Sequence, residues 1–256
     1  MRAQDRAGGK GGTSMTSEAA SGDRANLLGS AWMTLSMAAF AVEDAFVKTA
    51  ALTLPVSQIL LLFGLGGALV FAGLMLVRGE RLYVPAVVSR PMIVRMLFEI
   101  MGRLFFVLAI SLASLSSATV IMQATPLVVV AGAALVFGER VGWRRWTAVF
   151  LGLLGVVIIV QPGAESFSLF SSLAILGMLG SAGRDLATRA APASVSTSIL
   201  GLYGFLAVMV AGALLSLWEA APFVRPTGAA WLLIAAAVLA GVTAYAGIMK
   251  AMRMGD

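Results

Sequence analysis

The chain is predicted to be an all-α integral membrane protein built from two inverted five-helix repeats, the second of them cut short. Three observations predict this. Hydrophobic residues fill 60% of 256 positions, charged residues fill only 12%, and mean hydropathy is +0.96; a soluble domain carries about 25% charged residues. Apolar runs close to the ~20 residues that cross a bilayer recur from Leu27 onward with little chain between them. Finally, Asp44 and Lys48 stand four residues apart in the first run, and Asp185 and Arg189 repeat that spacing 141 positions later.

Eight spans are expected, at 27–49, 53–77, 91–112, 117–137, 145–162, 169–190, 194–218 and 228–250. Before the first lies a stretch of Gly, Ser, Ala and mixed charges over residues 1–26, which predicts a disordered cytoplasmic tail. It lacks the apolar stretch and cleavage site of a secretory signal, and Met15 is an alternative start to Met1. Arg78, Arg81 and Arg90 separate the second span from the third, and Arg140, Arg144 and Arg145 separate the fourth from the fifth. Gln123, Thr125 and Pro126 interrupt the fourth span, because proline removes a backbone hydrogen bond and frees a carbonyl. Trp143, Trp146, Trp218 and Trp231 fall at span ends and read as interfacial anchors. Gly64, Gly66 and Gly67, and Gly152 with Gly155, permit close helix approach.

The loop charges set orientation. The third-to-fourth and fifth-to-sixth loops carry no Lys or Arg and the seventh-to-eighth only Arg225, whereas Arg2, Arg6, Lys10 and Arg24 precede the first span. The positive-inside rule therefore places the N-terminus, Lys250 and Arg253 in the cytoplasm. A five-span repeat is odd, so its second copy enters from the opposite side. The first repeat occupies 27–163 and the second 164–256, where the last residue, Asp256, corresponds to Leu115 or Ser116 of the first copy; about eight helices of an expected ten are present.

Cys and His are both absent. No disulfide framework, thiolate nucleophile, imidazole base or soft metal site can be built, and no cofactor is implied. The net charge of +6 is explained by topology, so no nucleic-acid partner is expected. No glycine loop followed by Lys and Ser/Thr is present to bind ATP phosphates.

Residues 126–163 carry an apolar helix, then Phe137-Gly138-Glu139-Arg140, Trp143 and Trp146, and then a span containing Gly152 and Gly155. This order resembles the EamA-type family of the drug/metabolite transporter superfamily, and the resemblance covers 27–256. It implies a carrier of ten helices with both termini inside, two inverted repeats around a central cavity, and a small-molecule substrate such as a metabolite, amino acid, vitamin or toxic solute. The second Phe-Gly-Glu-Arg turn of that family does not occur in 164–256.

Arg95, Glu99 and Arg103 follow at i, i+4 and i+8 along one stripe of the third span. At 1.5 Å per residue from Pro91, Arg103 lies about 18 Å deep, near the middle of a ~30 Å core. An ionised group there is costly and marks function by default. Arg103 is thus the first substrate-binding candidate, for a carboxylate or phosphate group, with a structural ion pair to Glu99 as the alternative. Glu99 is the deepest carboxylate available for proton coupling. Arg95 is read as an interfacial anchor. Gln123 and Thr125, at the broken span, and Tyr245, on the last one, complete the binding candidates; Trp32, Phe105 and Phe106 are further rings that could stack on a flat solute or simply pack.

Asp44 and Lys48 are expected near the outer boundary, and inversion places Asp185 and Arg189 near the cytoplasmic one. With Glu43 and Arg184 beside them, they form two candidate gates at opposite faces; charges snorkelling from helix ends are the alternative.

The sequence therefore favours a secondary-active or facilitative carrier of a small organic metabolite, anionic or zwitterionic, in the inner membrane of a bacterium-like cell. A homodimer is compatible with it. Two other readings stand beside it. One is a non-transporting remnant, or a subunit completed by a partner chain. The other, less favoured, is a lipid-acting membrane enzyme with Asp44 or Glu99 as acid or base.

Overall fold

The computed structural model of the chain describes residues 11–112, 115–139, 141–160, 169–219 and 221–254. The start of the chain to Lys10, Arg140, the repeat boundary at 163–164 and the end at Asp256 lie outside the described residues. Among the described residues all regular structure is helical: α1 (Gly11–Ala50), α2 (Val56–Val77), α3 (Arg90–Leu112), α4 (Leu115–Met122), α5 (Thr125–Phe137), α6 (Trp143–Val160), α7 (Leu169–Arg189), α8 (Thr197–Glu219) and α9 (Gly228–Met254), with a short 3-10 turn at Pro85–Val88.

Each expected apolar span is a helix, and α4 with α5 make the interrupted one. Residues 118–137 still form one segment long and apolar enough to cross a membrane, as do α2, α8 and most of α9. The charge-bearing α1, α3 and α7 do not meet that measure, because their ionised residues lower the local hydropathy.

Two expectations change. Helix α1 begins at Gly11 rather than near Leu27, so residues 11–26 are helical and not an irregular tail. Once the apolar span has nucleated a helix, each further residue adds a hydrogen bond at little cost, and no proline stops it before Gly11. The break in the fourth span is also more self-contained than a cavity-lining gap. Ala124 accepts from the amides of both Leu127 and Val128, and the Thr125 hydroxyl donates to the Met122 carbonyl at 2.6 Å, so the carbonyls freed near Pro126 are re-satisfied locally.

The bundle is organised by three long helix pairs, α1 with α9, α2 with α8 and α3 with α7. The first three spans thus pack on the last three in reverse order. Helices α4 and α5 lie against α7, and α6 against α5 and α4. At the α3–α7 crossing, a Cβ on Gly102 would meet the Ser181 amide nitrogen at 2.9 Å, and one on Gly180 would strike the Gly102 backbone. The two main chains touch, which only glycine allows. Between α2 and α8 the contact is aromatic: Phe205 lies 5.3 Å from Phe63 and 5.7 Å from Phe71, ring centre to ring centre. Gln58 on α2 clamps the segment before α9, donating to the Val224 carbonyl at 2.7 Å and accepting from its amide at 2.9 Å.

The outer surface is apolar. Leu69, Leu97, Leu151, Ile158, Leu217, Leu232 and Leu239 point outward. Charged side chains are buried inside instead, the reverse of a soluble domain and the arrangement a bilayer demands. This is a multi-pass membrane protein.

Candidate functional site

Helix α3 carries the spine of the site. Its i, i+4, i+8 spacing turns Arg95, Glu99 and Arg103 toward the same side, and α1, α7 and α9 bring partners to them. From α1, Glu43 accepts from Arg103 at 2.6 Å and is fully buried. From α7, Arg184 reaches Glu99 at 3.3 Å and Asp185 at 2.8 Å. From α9, the Tyr245 hydroxyl donates to Glu99 and accepts from Arg95. Arg95 completes the set, with Glu99 Oε2 at 3.5 Å and its Nε donating to the Thr188 hydroxyl at 3.0 Å.

Aromatic faces line the cations. The Arg103 guanidinium sits 5.2 Å from the centre of the Phe63 ring, and those of Arg95 and Arg184 lie 5.8 and 5.9 Å from that of Tyr245. In a desolvated bundle such contacts reinforce the ion pairs without adding charge.

Three buried groups are not fully used. Among the described residues, Arg95 Nη1 and Glu43 Oε2 have no hydrogen-bond partner. Asp44, also buried, makes no ion pair or hydrogen bond within the described residues.

The arrangement changes several expectations. Arg103 is paired with Glu43 and not with Glu99. Arg95 is no interfacial anchor: it is fully buried, because the same stripe that carries Glu99 inward carries Arg95 with it. The charges expected as separate outer and inner gates are joined, since Glu99 and Arg103, one turn apart on α3, bond Arg184 and Glu43 respectively. Long arginine side chains make the reach. Lys48 is turned aside to the Ile110 carbonyl at 2.5 Å, and half-exposed Arg189 pairs with Glu139 of the turn after α5 at 3.1 Å. Gln123 is exposed, and Thr125 spends its hydroxyl on the Met122 carbonyl at the end of α4; neither is hydrogen-bonded to the charged network. Tyr245 does belong to it. Thr188 was missed, and its place four residues after Arg184 on α7 is the feature that could have revealed it.

A cavity of about 400 Å³ opens where α7 ends, lined by Thr188, Ala191, Pro192, Val195, Leu200 and Met249 among others. Thr188 joins it to the network through Arg95. Tyr245→Phe keeps the ring and removes the shared hydroxyl. Polar contacts inside membrane bundles are worth about 0.6 kcal/mol on average and at most about 1.7, so thermal unfolding of the variant in detergent should show a loss within that range.

Residues 27–161, more than half of the chain, match the model of the EamA-like transporter family. The chain belongs to that family. This EamA-like chain is 31% identical to the pseudopaline exporter of Pseudomonas aeruginosa over 70% of its own length and 63% of the exporter's. It is 30% identical to the riboflavin transporter of Vibrio cholerae over 53% of this chain and 45% of that one. With an S-adenosylmethionine uptake transporter of Rickettsia bellii it shares 34% identity over 31% of this chain and 28% of the relative. The matches thus span less than two thirds of the length of these curated relatives. A crystal structure of another protein superposes with a TM-score of 0.66 at 23% identity, covering 91% of this chain and 81% of the other, and supports the fold.

Proposed function

We propose that this EamA-like protein carries a small organic metabolite across the inner membrane by alternating access, with its N-terminus in the cytoplasm. The observation that carries the reading is the ion-pair network inside an apolar bundle, with a cavity beside it. Charge held at membrane depth is expensive, and in transport proteins it lies on the solute's path. A solute with an ionised group can be met by Arg95, whose Nη1 awaits an acceptor, or by Arg103 on release of Glu43.

Inverted repeats, 27–163 and an incomplete 164–256, would supply the moving halves. Packing supports the relation. A shift of 141 carries Ser36 to Gly177 and Phe106 to Gly247, and Gly247 packs on Ser36 as Gly177 packs on the Phe106 backbone. The same shift carries Glu43-Asp44 to Arg184-Asp185. Rearrangement of the pairs Glu43–Arg103 and Arg184–Glu99 would then open one side or the other. The names of the relatives favour solutes that are compact and carry rings or ionised groups.

The test is uptake by liposomes containing the full chain, with riboflavin, S-adenosylmethionine and pseudopaline as labelled solutes. Saturable entry of at least one is expected, falling about tenfold or more in Arg103→Gln, which leaves Glu43 without its cation; tenfold corresponds to about 1.4 kcal/mol. Entry no faster than into empty liposomes for all three solutes would overturn the proposal.

A further inference from the structure

Arg95 is fully buried, yet its hydrogen-bonding capacity is not filled. Its carboxylate partner Glu99 stands at 3.5 Å, against 2.6 Å between Arg103 and Glu43, and is shared with Arg184. Among the described residues, Arg95 Nη1 is a buried donor without an acceptor, which is costly for a charged group. Three helices fix the rest of the guanidinium. Its Nε donates to Thr188 of α7, its Nη2 donates to the Tyr245 hydroxyl of α9, and a Cβ on Gly204 of α8 would lie 3.3 Å from Nη2.

The cavity of about 400 Å³ is walled by the same three helices, one turn nearer the end of the bundle: Thr188 itself, Leu200 four residues before Gly204, and Met249 four residues after Tyr245. Ala191, Pro192 and Val195, between α7 and α8, line it as well. Arg95 therefore stands at the inner end of the cavity, behind the Thr188 side chain. The Thr188 hydroxyl accepts from Arg95 and donates to the Arg184 carbonyl at 2.7 Å. A helical threonine has two accessible rotamers, so this hydroxyl can turn aside.

We infer that the cavity binds a small monocarboxylate with an apolar body, its acid group seated on Arg95 once the Thr188 hydroxyl turns away. This rests on the carrier reading and names the class of its solute. The lining selects the body: Ala191, Pro192, Val195, Leu200 and Met249 present alkyl and thioether side chains, and the volume falls within the ~300–1,000 Å³ of small-molecule sites. The charge selects the head. A carboxylate gives Nη1 the acceptor it lacks through a charge-assisted bond, whereas a phosphate dianion would bring a second negative charge into a network that already holds Glu99 and Asp185.

The experiment is calorimetric titration of the full chain in lipid nanodiscs with phenylacetate, and with phenylacetamide as its uncharged isostere, empty nanodiscs giving the partition into lipid. Saturable binding of the acid is expected, with the amide weaker by about tenfold or more, as befits a hydrogen bond between charged groups. Arg95→Gln should lower the affinity of the acid to that of the amide. Ala191→Phe fills the cavity and touches none of the ion pairs, so it decides the matter even if Arg95→Gln fails to fold; it should abolish binding of the acid. Equal affinity for acid and amide, binding of the acid that persists in Ala191→Phe, or no binding beyond that of empty nanodiscs would overturn the inference. Specific binding of phenylacetate by a chain that admits no solute into liposomes would remove the carrier reading and leave the site standing; solute entry without phenylacetate binding would do the reverse.

Discussion

Glu99→Ala is expected to cost about 3–5 kcal/mol of stability, the range for breaking a buried ion pair from one side. Three groups converge on this carboxylate: Arg95, Arg184 and the Tyr245 hydroxyl. Its removal leaves Arg95 with no ion-pair partner among the described residues, whereas Asp185 remains at 2.8 Å for Arg184. The lost side-chain packing is minor beside that. Glu99→Gln keeps the volume and an acceptor for Tyr245 and should recover part of the loss. Urea unfolding of the purified protein in mixed micelles checks both. If Glu99→Ala cost no more than the ~0.6 kcal/mol typical of an intramembrane hydrogen bond, the network would be a set of ordinary polar contacts and the electrostatic account would fall.

Gly180→Val should be the next most damaging change, for a steric reason. A Cβ at this position runs into the main chain of Gly102, and no rotamer relieves a clash between a Cβ and a backbone. Overpacking a filled interior costs about 1–3 kcal/mol and occasionally more. Because α3 also carries Arg95, Glu99 and Arg103, pushing it from α7 lengthens the Arg184–Glu99 contact as well, so the cost should reach the upper end. Gly155→Ala is the control. Nothing lies within 4 Å of a Cβ there, and unfolding temperature should hardly move. A Gly180→Val protein as stable as the native one would mean that the two helices part more freely than their contact implies.

Both predictions depend on pairings of very different legibility. The stripe of Arg95, Glu99 and Arg103 is visible in sequence because helical periodicity is local: four residues make nearly one turn wherever the helix sits. The break at Gln123 and Ala124 is visible too, since a proline disrupts any helix that holds it. That Arg103 takes Glu43, 60 positions away, rather than Glu99 on its own stripe, is not visible. Nor is the burial of Arg95, which looks in sequence like any cation near the start of a span. Thr188 shows in sequence only its place four residues after Arg184, and its bond to Arg95 emerges once α7 is laid along α3. In each case the missing information is which helix lies beside which, and at what height.

What the sequence determined by itself is the solvent and the elements. Repeated apolar runs of about the length that crosses a bilayer can satisfy their backbone there only as helices, and that holds before any tertiary contact forms. The tertiary structure alone decided the site. Packing α1 on α9 and α3 on α7 brought charges from three distant helices, and the Tyr245 hydroxyl from a fourth, into one network. Ion pairing acts over a few ångströms through space and takes no account of distance along the chain.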